Sequence, residues 1–257
     1  MDWLAIASGF GIGLIVGLTG VGGGSLMTPL LISVFSLEKA VAIGTDLWFA
    51  GLTKVSGSVA HWRHGHVDVR ITSLLLAGSV PASIATTLYM HMVGITKRAD
   101  SMLTYALGIA LVLTAITIIL RPVWHKVGLW LERWITPARQ PWLTVLCGLI
   151  LGVLVSLSSI GAGALGATLI LLLYPRLPTA RLVGTDIAHA VPLTLVAGIG
   201  HATLGNVEWL LLIELLIGSV PAIWIGARLT KLLPDIWTRI ALSTSLLFAA
   251  KKMLLLF

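Results

Sequence analysis

The sequence predicts an all-α polytopic membrane protein built from two inverted repeats, each a glycine-broken helix pair followed by three transmembrane helices. Three observations carry this expectation. Of 257 residues, 57% are hydrophobic and only 11% charged, against roughly 25% charged in a soluble domain, and the mean hydropathy is +1.01. Apolar runs recur at 3–19, 25–36, 41–60, 71–93, 102–120, 142–158, 164–174, 182–200, 209–227 and 240–257, several of them near the roughly 20 residues that a spanning helix needs. The two halves also match each other at an offset of 139 to 140 residues, the mark of an internal duplication.

The elements follow in order. The first run opens on Met1-Asp2-Trp3, without the basic stretch or small-residue cleavage site of a signal peptide, so it is expected to stay in place. Glycines at Gly9, Gly13 and Gly17 have the four-residue spacing that lets membrane helices approach closely. Then comes "GLTGVGGGSL" at 17–26, with glycine at four of the five positions 20–24, which aligns with "SLSSIGAGAL" at 156–165. Further on, "LEKAVAIGTD" at 37–46 aligns with "LPTARLVGTD" at 177–186, "HWRHGHVD" at 61–68 with "HATLGNVE" at 201–208, and "GSVPA" at 78–82 recurs unchanged at 218–222. The expected organisation is a first membrane repeat over 1–120, a cytoplasmic linker over 121–141 rich in Arg, Trp and Pro, and a second membrane repeat over 142–257.

Charge decides between parallel and inverted units, because Lys and Arg favour short cytoplasmic loops. If each glycine-broken pair folds back on itself, 61–70, 121–141, 174–181 and 228–239 share one side with eleven Lys or Arg, against five for 37–40, 94–100 and the C-terminal end. The units are then inverted, with the linker in the cytoplasm, both termini outside and the chain in the cytoplasmic (inner) membrane. Whether the arms cross fully or re-enter stays open, since both return the chain to the same side. Trp124, Trp130, Trp134 and Trp142 suit a linker lying at the membrane surface.

Non-helical backbone at membrane depth is tolerated only where protein buries it or a cavity lines it. In an inverted repeat the two breaks meet near the midplane, where half-helix ends bind substrate. The candidate substrate-binding residues are therefore Gly20, Gly22, Gly23, Gly24, Ser25, Ser159, Gly161 and Gly163, with hydroxyls at Thr28, Ser156 and Ser158 close by. Bare glycine backbone and a helix N-terminus both favour an anion. Lys54 joins them as an intramembrane cation, eight residues after Asp46 on roughly the same helix face. It attracts an anionic substrate, pairs with Asp46, or snorkels toward the lipid interface. The candidates for proton coupling are Asp46 and Asp186 in the repeated Gly-Thr-Asp block, His189, the equivalent His61 and His201, and Glu214. Capping of a helix start by the Thr and Asp of each Gly-Thr-Asp block is the alternative for the two aspartates, and loop structure for the two histidines.

The glycine-rich break, the two Gly-Thr-Asp blocks, and "AHWRHGHVD" and "GHATLGNVE" after the third helix of each unit resemble the TauE/SafE sulfite exporter family over about residues 5 to 257. That resemblance implies secondary transport of small sulfur-containing anions, sulfite or organosulfonates, across the cytoplasmic membrane. One departure stands out: the second break reads "SIGAGAL" where the first is denser in glycine.

Other classes have little support in the residues. The excess of seven positive charges is dispersed between apolar runs and forms no basic face, so no nucleic-acid partner is expected. No G-x-x-x-x-G-K-[ST], H-E-x-x-H or nucleophile with its base occurs, so neither ATP binding nor an enzyme is expected, and no cofactor. The lone Cys147 excludes an internal disulfide, and His61, His64 and His66 lack a completing carboxylate or thiol, so no metal is expected. The expected partners are a small anion and the lipid bilayer, with transport by alternating access and proton coupling as the simplest energy source; anion channel and membrane-embedded enzyme are the alternatives.

Overall fold

A computed structural model describes residues 2–19, 24–93, 97–229 and 235–255, and these are all helix and connecting turns. Eleven helices follow in order: α1 (Trp3–Thr19), α2 (Gly24–Ser33), α3 (Lys39–Arg63), α4 (Val69–Val93), α5 (Lys97–Ile119), α6 (Arg121–Leu131), α7 (Gln140–Ser158), α8 (Ala164–Leu173), α9 (Thr179–Thr203), α10 (Trp209–Leu229) and α11 (Asp235–Leu255). Thus a long arm, a ten-residue arm and three long helices occur twice, separated by α6. Segments 69–93, 100–119, 140–158, 179–203 and 209–226 are long and apolar enough to cross a membrane. The chain is a multi-pass membrane protein. Its exterior carries exposed Phe10, Met92, Trp142, Trp224 and Phe248, while Thr45, Asp46, Asp186, His189 and Thr194 are buried, the distribution that a lipid solvent demands.

The two units interlock. α1 packs along α10, α7 along α4, α3 along α9, and α5 along α11, so each long arm lies against the fourth helix of the other unit. Glycine permits these contacts: a Cβ on Gly9 or Gly13 would overlap the α10 backbone at Leu215 and Ser219, and one on Gly148 or Gly152 the α4 backbone at Leu75 and Ser79. The repeated "GSVPA" supplies the reciprocal faces, with Gly78 against Val145 and Gly218 against Ile6. The matching order of these contacts makes α1 parallel to α10 and α7 parallel to α4.

α3 and α9 run antiparallel, since Gly44 faces His201 and Asn206, Gly51 faces Thr194 and Leu195, and Gly184 faces His61 and His66. α8 returns antiparallel to α9: Gly166 meets Asp186, and Ile170 shares a cluster with Leu182. Ten residues rise only about 15 Å, half of the roughly 30 Å hydrocarbon core, so α8 is a half-helix and α7–α8 a hairpin. Around these elements the largest core cluster joins Ile43 and Leu47 of α3, Leu107 and Leu111 of α5, Leu151 and Val155 of α7, and Ala190 and Leu193 of α9. It surrounds the second break.

Candidate functional site

The Gly-Thr-Asp blocks and the loops after α3 and α9 form two clasps between the units. Thr45 Oγ1 accepts the Glu208 N–H at 3.0 Å, and Thr185 Oγ1 accepts the Asp68 N–H at 2.9 Å. In each case the threonine lies inside one unit's third helix and secures the start of the other unit's fourth. Asp68 Oδ1 in turn accepts the Ile71 N–H at 3.2 Å and so caps α4. Neither Thr45 nor Asp46 caps its own helix, which starts well before both, at Lys39. Replacing Thr45 or Thr185 by Val leaves an N–H without its acceptor and is expected to destabilise by about 1–3 kcal/mol. A lowered Tm of the purified protein in detergent, with the double variant lower still, checks this; an unchanged Tm in both single variants contradicts it.

His61 and His201 belong to these clasps. His201 is fully buried and donates from Nε2 to the Ser156 carbonyl at 2.9 Å, tying the end of α9 to α7. His61 lies against Gly184, with its ring 5.7 Å from that of His66. The described residues contain no group of three His, Cys, Asp or Glu placed to hold a metal. Glu214 is engaged at the start of α1, where its Oε1 accepts the Asp2 N–H at 2.8 Å.

The other ionisable candidates converge on the second break. α7 stops at Ser159, whose backbone is left-handed at φ 57°, and α8 starts after Gly163. Between them Gly161 has φ +125°, a region that side-chain-bearing residues rarely enter. Its carbonyl accepts the N–H groups of Gly163 at 2.9 Å and Gly166 at 3.0 Å. Lys54 reaches across from α3 and donates to the Ala162 carbonyl. The interaction links residues 108 positions apart and fastens the first unit's third helix to the second unit's break. The ion pairs among the described residues are Lys39–Asp100, Arg176–Glu132 and Arg181–Asp68. Lys54 is thus a buried amine held on a carbonyl, with both Asp46 and Asp186 in electrostatic range.

Asp46 is fully buried and accepts the Thr28 hydroxyl of α2 on Oδ2. The Ser159 hydroxyl lies toward the same carboxyl, and Asp46 Oδ1 has no hydrogen-bond partner. Asp186 Oδ1 is likewise without one, pressed to Gly166, where a Cβ would overlap it. His189 is fully buried, its Nε2 2.9 Å from Ser79 Oγ and its Nδ1 without a partner. With Ser159 Oγ, four buried polar atoms around the Lys54 amine have no partner, which is costly unless a proton or a ligand completes them.

The structure therefore brings together Lys54, Asp46, Asp186, His189, Ser159, Gly161 and Gly163. Gly24 is the first residue of α2 and Ser25 is buried beside it, whereas Gly20, Gly22 and Gly23 lie outside the described residues. Sequence reasoning missed Ser79, Gly166 and the Ala162 carbonyl. Ser79 carried a signal, since it lies in the duplicated "GSVPA"; Gly166 falls opposite Met27 in the repeat and carried none.

Comparison with known proteins agrees with this architecture. The family model "Sulfite exporter TauE/SafE" matches residues 5–253. The "Probable membrane transporter protein YjnA" of Bacillus subtilis (strain 168) is 38% identical over 234 residues, covering 88% of this chain and 89% of the relative. The "Probable membrane transporter protein YdhB" of the same organism is 29% identical over 232 residues, with the same coverage. A "Probable membrane transporter protein" of Xylella fastidiosa (strain 9a5c) is 25% identical over 228 residues, 88% of this chain and 84% of the relative. No solved structure matches. With a fold of membrane-crossing helices around a broken helix, and a family match over nearly its whole length, the chain belongs to the TauE/SafE sulfite exporter family of membrane transporters.

Proposed function

We propose that this protein is a secondary transporter that carries a small anion, a sulfur oxyanion or organosulfonate, across the cytoplasmic membrane by alternating access and in company with protons. The observation that carries the reading is the buried Lys54 ammonium fastened to the Ala162 carbonyl in the α7–α8 break. An intramembrane cation beside non-helical backbone and a half-helix N-terminus is the chemistry that an anion seeks. Asp46 and Asp186 are the proton carriers of this reading, and His189 lines the same place. Substrate enters at the break, is held by Lys54 beside Ser159, Gly161 and Gly163, and leaves on the other side when the units rock against each other.

The inverted arrangement draws support from the antiparallel course of the equivalent helices α3 and α9 and from the hairpin of α7 and α8, which leaves an odd number of crossings in the unit. Both termini then lie outside and 121–141 lies in the cytoplasm. In a Cys147→Ala background, Ala138→Cys in the linker is expected to react with an impermeant thiol reagent only from the cytoplasm, and Glu38→Cys only from outside. Labelling of both from one side overturns the topology.

Transport itself is tested with purified protein in liposomes. Saturable uptake of sulfite or a sulfonate, accelerated by the same anion inside, is the expected result. Flux that neither saturates nor shows counterflow indicates a channel, and no flux of any sulfur anion removes the reading.

A further inference from the structure

We propose that Asp46, Lys54 and Asp186 set the charge of the cargo and its coupling ratio: one proton moves with each singly charged anion, and the two carboxyls take that proton from opposite faces of the membrane. The inference rests on the transport reading above and adds to it a stoichiometry, a charge selection and a sidedness.

The geometry comes first. Asp46 is the eighth residue of α3 and Asp186 the eighth of α9, so each stands about 10 Å along its helix from that helix's start. Because α3 and α9 run antiparallel, those starts lie at opposite ends of the pair. Gly51 faces Thr194 and Leu195, while Gly57 approaches Ile187; Lys54, between them in α3, falls between the two carboxyls in depth. The line runs carboxyl, ammonium, carboxyl across the bundle. The groups facing it are Thr28 from α2, the Ala162 carbonyl and Ser159 from the break, His189 from α9, and Ser79 of α4 on the His189 ring.

Charge balance does the rest. An uncompensated charge so far from water is strongly disfavoured, so the empty site holds the Lys54 ammonium, one carboxylate and one carboxylic acid. His189 stays neutral, since a second cation beside the ammonium would break the balance. When a singly charged anion settles on Lys54, the carboxylate is left unmatched. It takes a proton from the aqueous side by which the anion entered, COO⁻ plus H⁺ giving COOH, and the site is again neutral. Release on the other side reverses both steps. A doubly charged anion would leave one negative charge over even with both carboxyls protonated, and is rejected. Because Asp46 lies nearer one face and Asp186 nearer the other, each serves its own side.

Two probes test this in proteoliposomes: methanesulfonate, singly charged, and sulfate, doubly charged. A tenfold proton gradient, acid on the side of addition, is expected to accumulate methanesulfonate about tenfold, a potassium diffusion potential is expected to leave that plateau unchanged, and sulfate is expected to be excluded. A plateau that moves with voltage, or sulfate accumulated as well as methanesulfonate, overturns the inference while leaving transport standing. If neither these nor any other sulfur anion moves, the transport reading falls and takes the inference with it. In vesicles of one orientation, Asp46→Asn and Asp186→Asn are expected to abolish the pH response of flux at opposite faces. Loss at the same face in both variants overturns the sidedness, and the wild-type plateau tests the ratio even where a variant fails to fold.

Discussion

Lys54→Met is expected to lower anion affinity by at least about tenfold while the protein still reaches the membrane. The substitution keeps the length and apolar stem of the side chain and removes its charge. Two unit charges at roughly 4 Å and an effective dielectric near 20 interact by about 4 kcal/mol, so even a largely screened contact is worth a power of ten in Kd. Lys54→Arg is milder without being silent, because a planar fork does not fit where a point charge donates to the Ala162 carbonyl. The double variant Lys54→Met with Asp46→Asn separates the two roles open to this lysine. Were Lys54 only the neutralising partner of Asp46, removing both charges together would restore binding. The ammonium rests on Ala162, and the Asp46 carboxyl is held by Thr28, so the loss is expected to persist in the double variant. Binding of sulfite or methanesulfonate by calorimetry, with membrane levels measured in parallel, decides it; rescue in the double variant removes Lys54 from the substrate site.

Gly161→Val is expected to abolish transport. At φ +125° any side chain strains the backbone and sets a Cβ only 3.3 Å from Val155 Cγ2, and a β-branched one carries further methyls beyond it. The cost is of order 1–3 kcal/mol, and relief requires the break to reshape, which displaces the Gly161 carbonyl from the Gly163 and Gly166 N–H groups and the Ala162 carbonyl from Lys54. Gly11→Ala is the matched control, since a Cβ at Gly11 meets nothing within 4 Å. The expected result is membrane insertion of both variants and flux in the control alone. Normal flux in Gly161→Val would mean that this bare backbone serves only packing.

Much of this molecule was legible in one dimension because the properties concerned are local or periodic. Hydropathy located the helices, since burial in lipid requires an unbroken apolar run, and the duplicated blocks supply equivalent contact residues to equivalent helices, Gly78 against Val145 and Gly218 against Ile6. The glycine clusters marked the ends of α1 and α7, where helix propensity fails. Asp46, Lys54, Asp186 and His189 were conspicuous because an ionisable group inside an apolar run is expensive. α3 illustrates the boundary of such reasoning: its Asp46 and Lys54 keep it out of the segments apolar enough to span, yet it packs along α9 in the interior.

Only the tertiary structure decided which of these groups meet. Eight residues of helix place Lys54 on the face of Asp46, but the lysine donates to Ala162, 108 residues away, because interlocking brings the second unit's break closer to its amine than its own helix neighbour. The threonines of the Gly-Thr-Asp blocks, which a linear reading makes candidate caps of their own helices, hold the helix starts of the opposite unit. The question of a spanning or returning arm was settled for α8 by the contact of Gly166 with Asp186. Helix formation and membrane insertion follow from near neighbours and the solvent, and so can be read along the chain. The site is made by closure of two units on each other, which brings together groups whose separation in sequence carries no information about their separation in space.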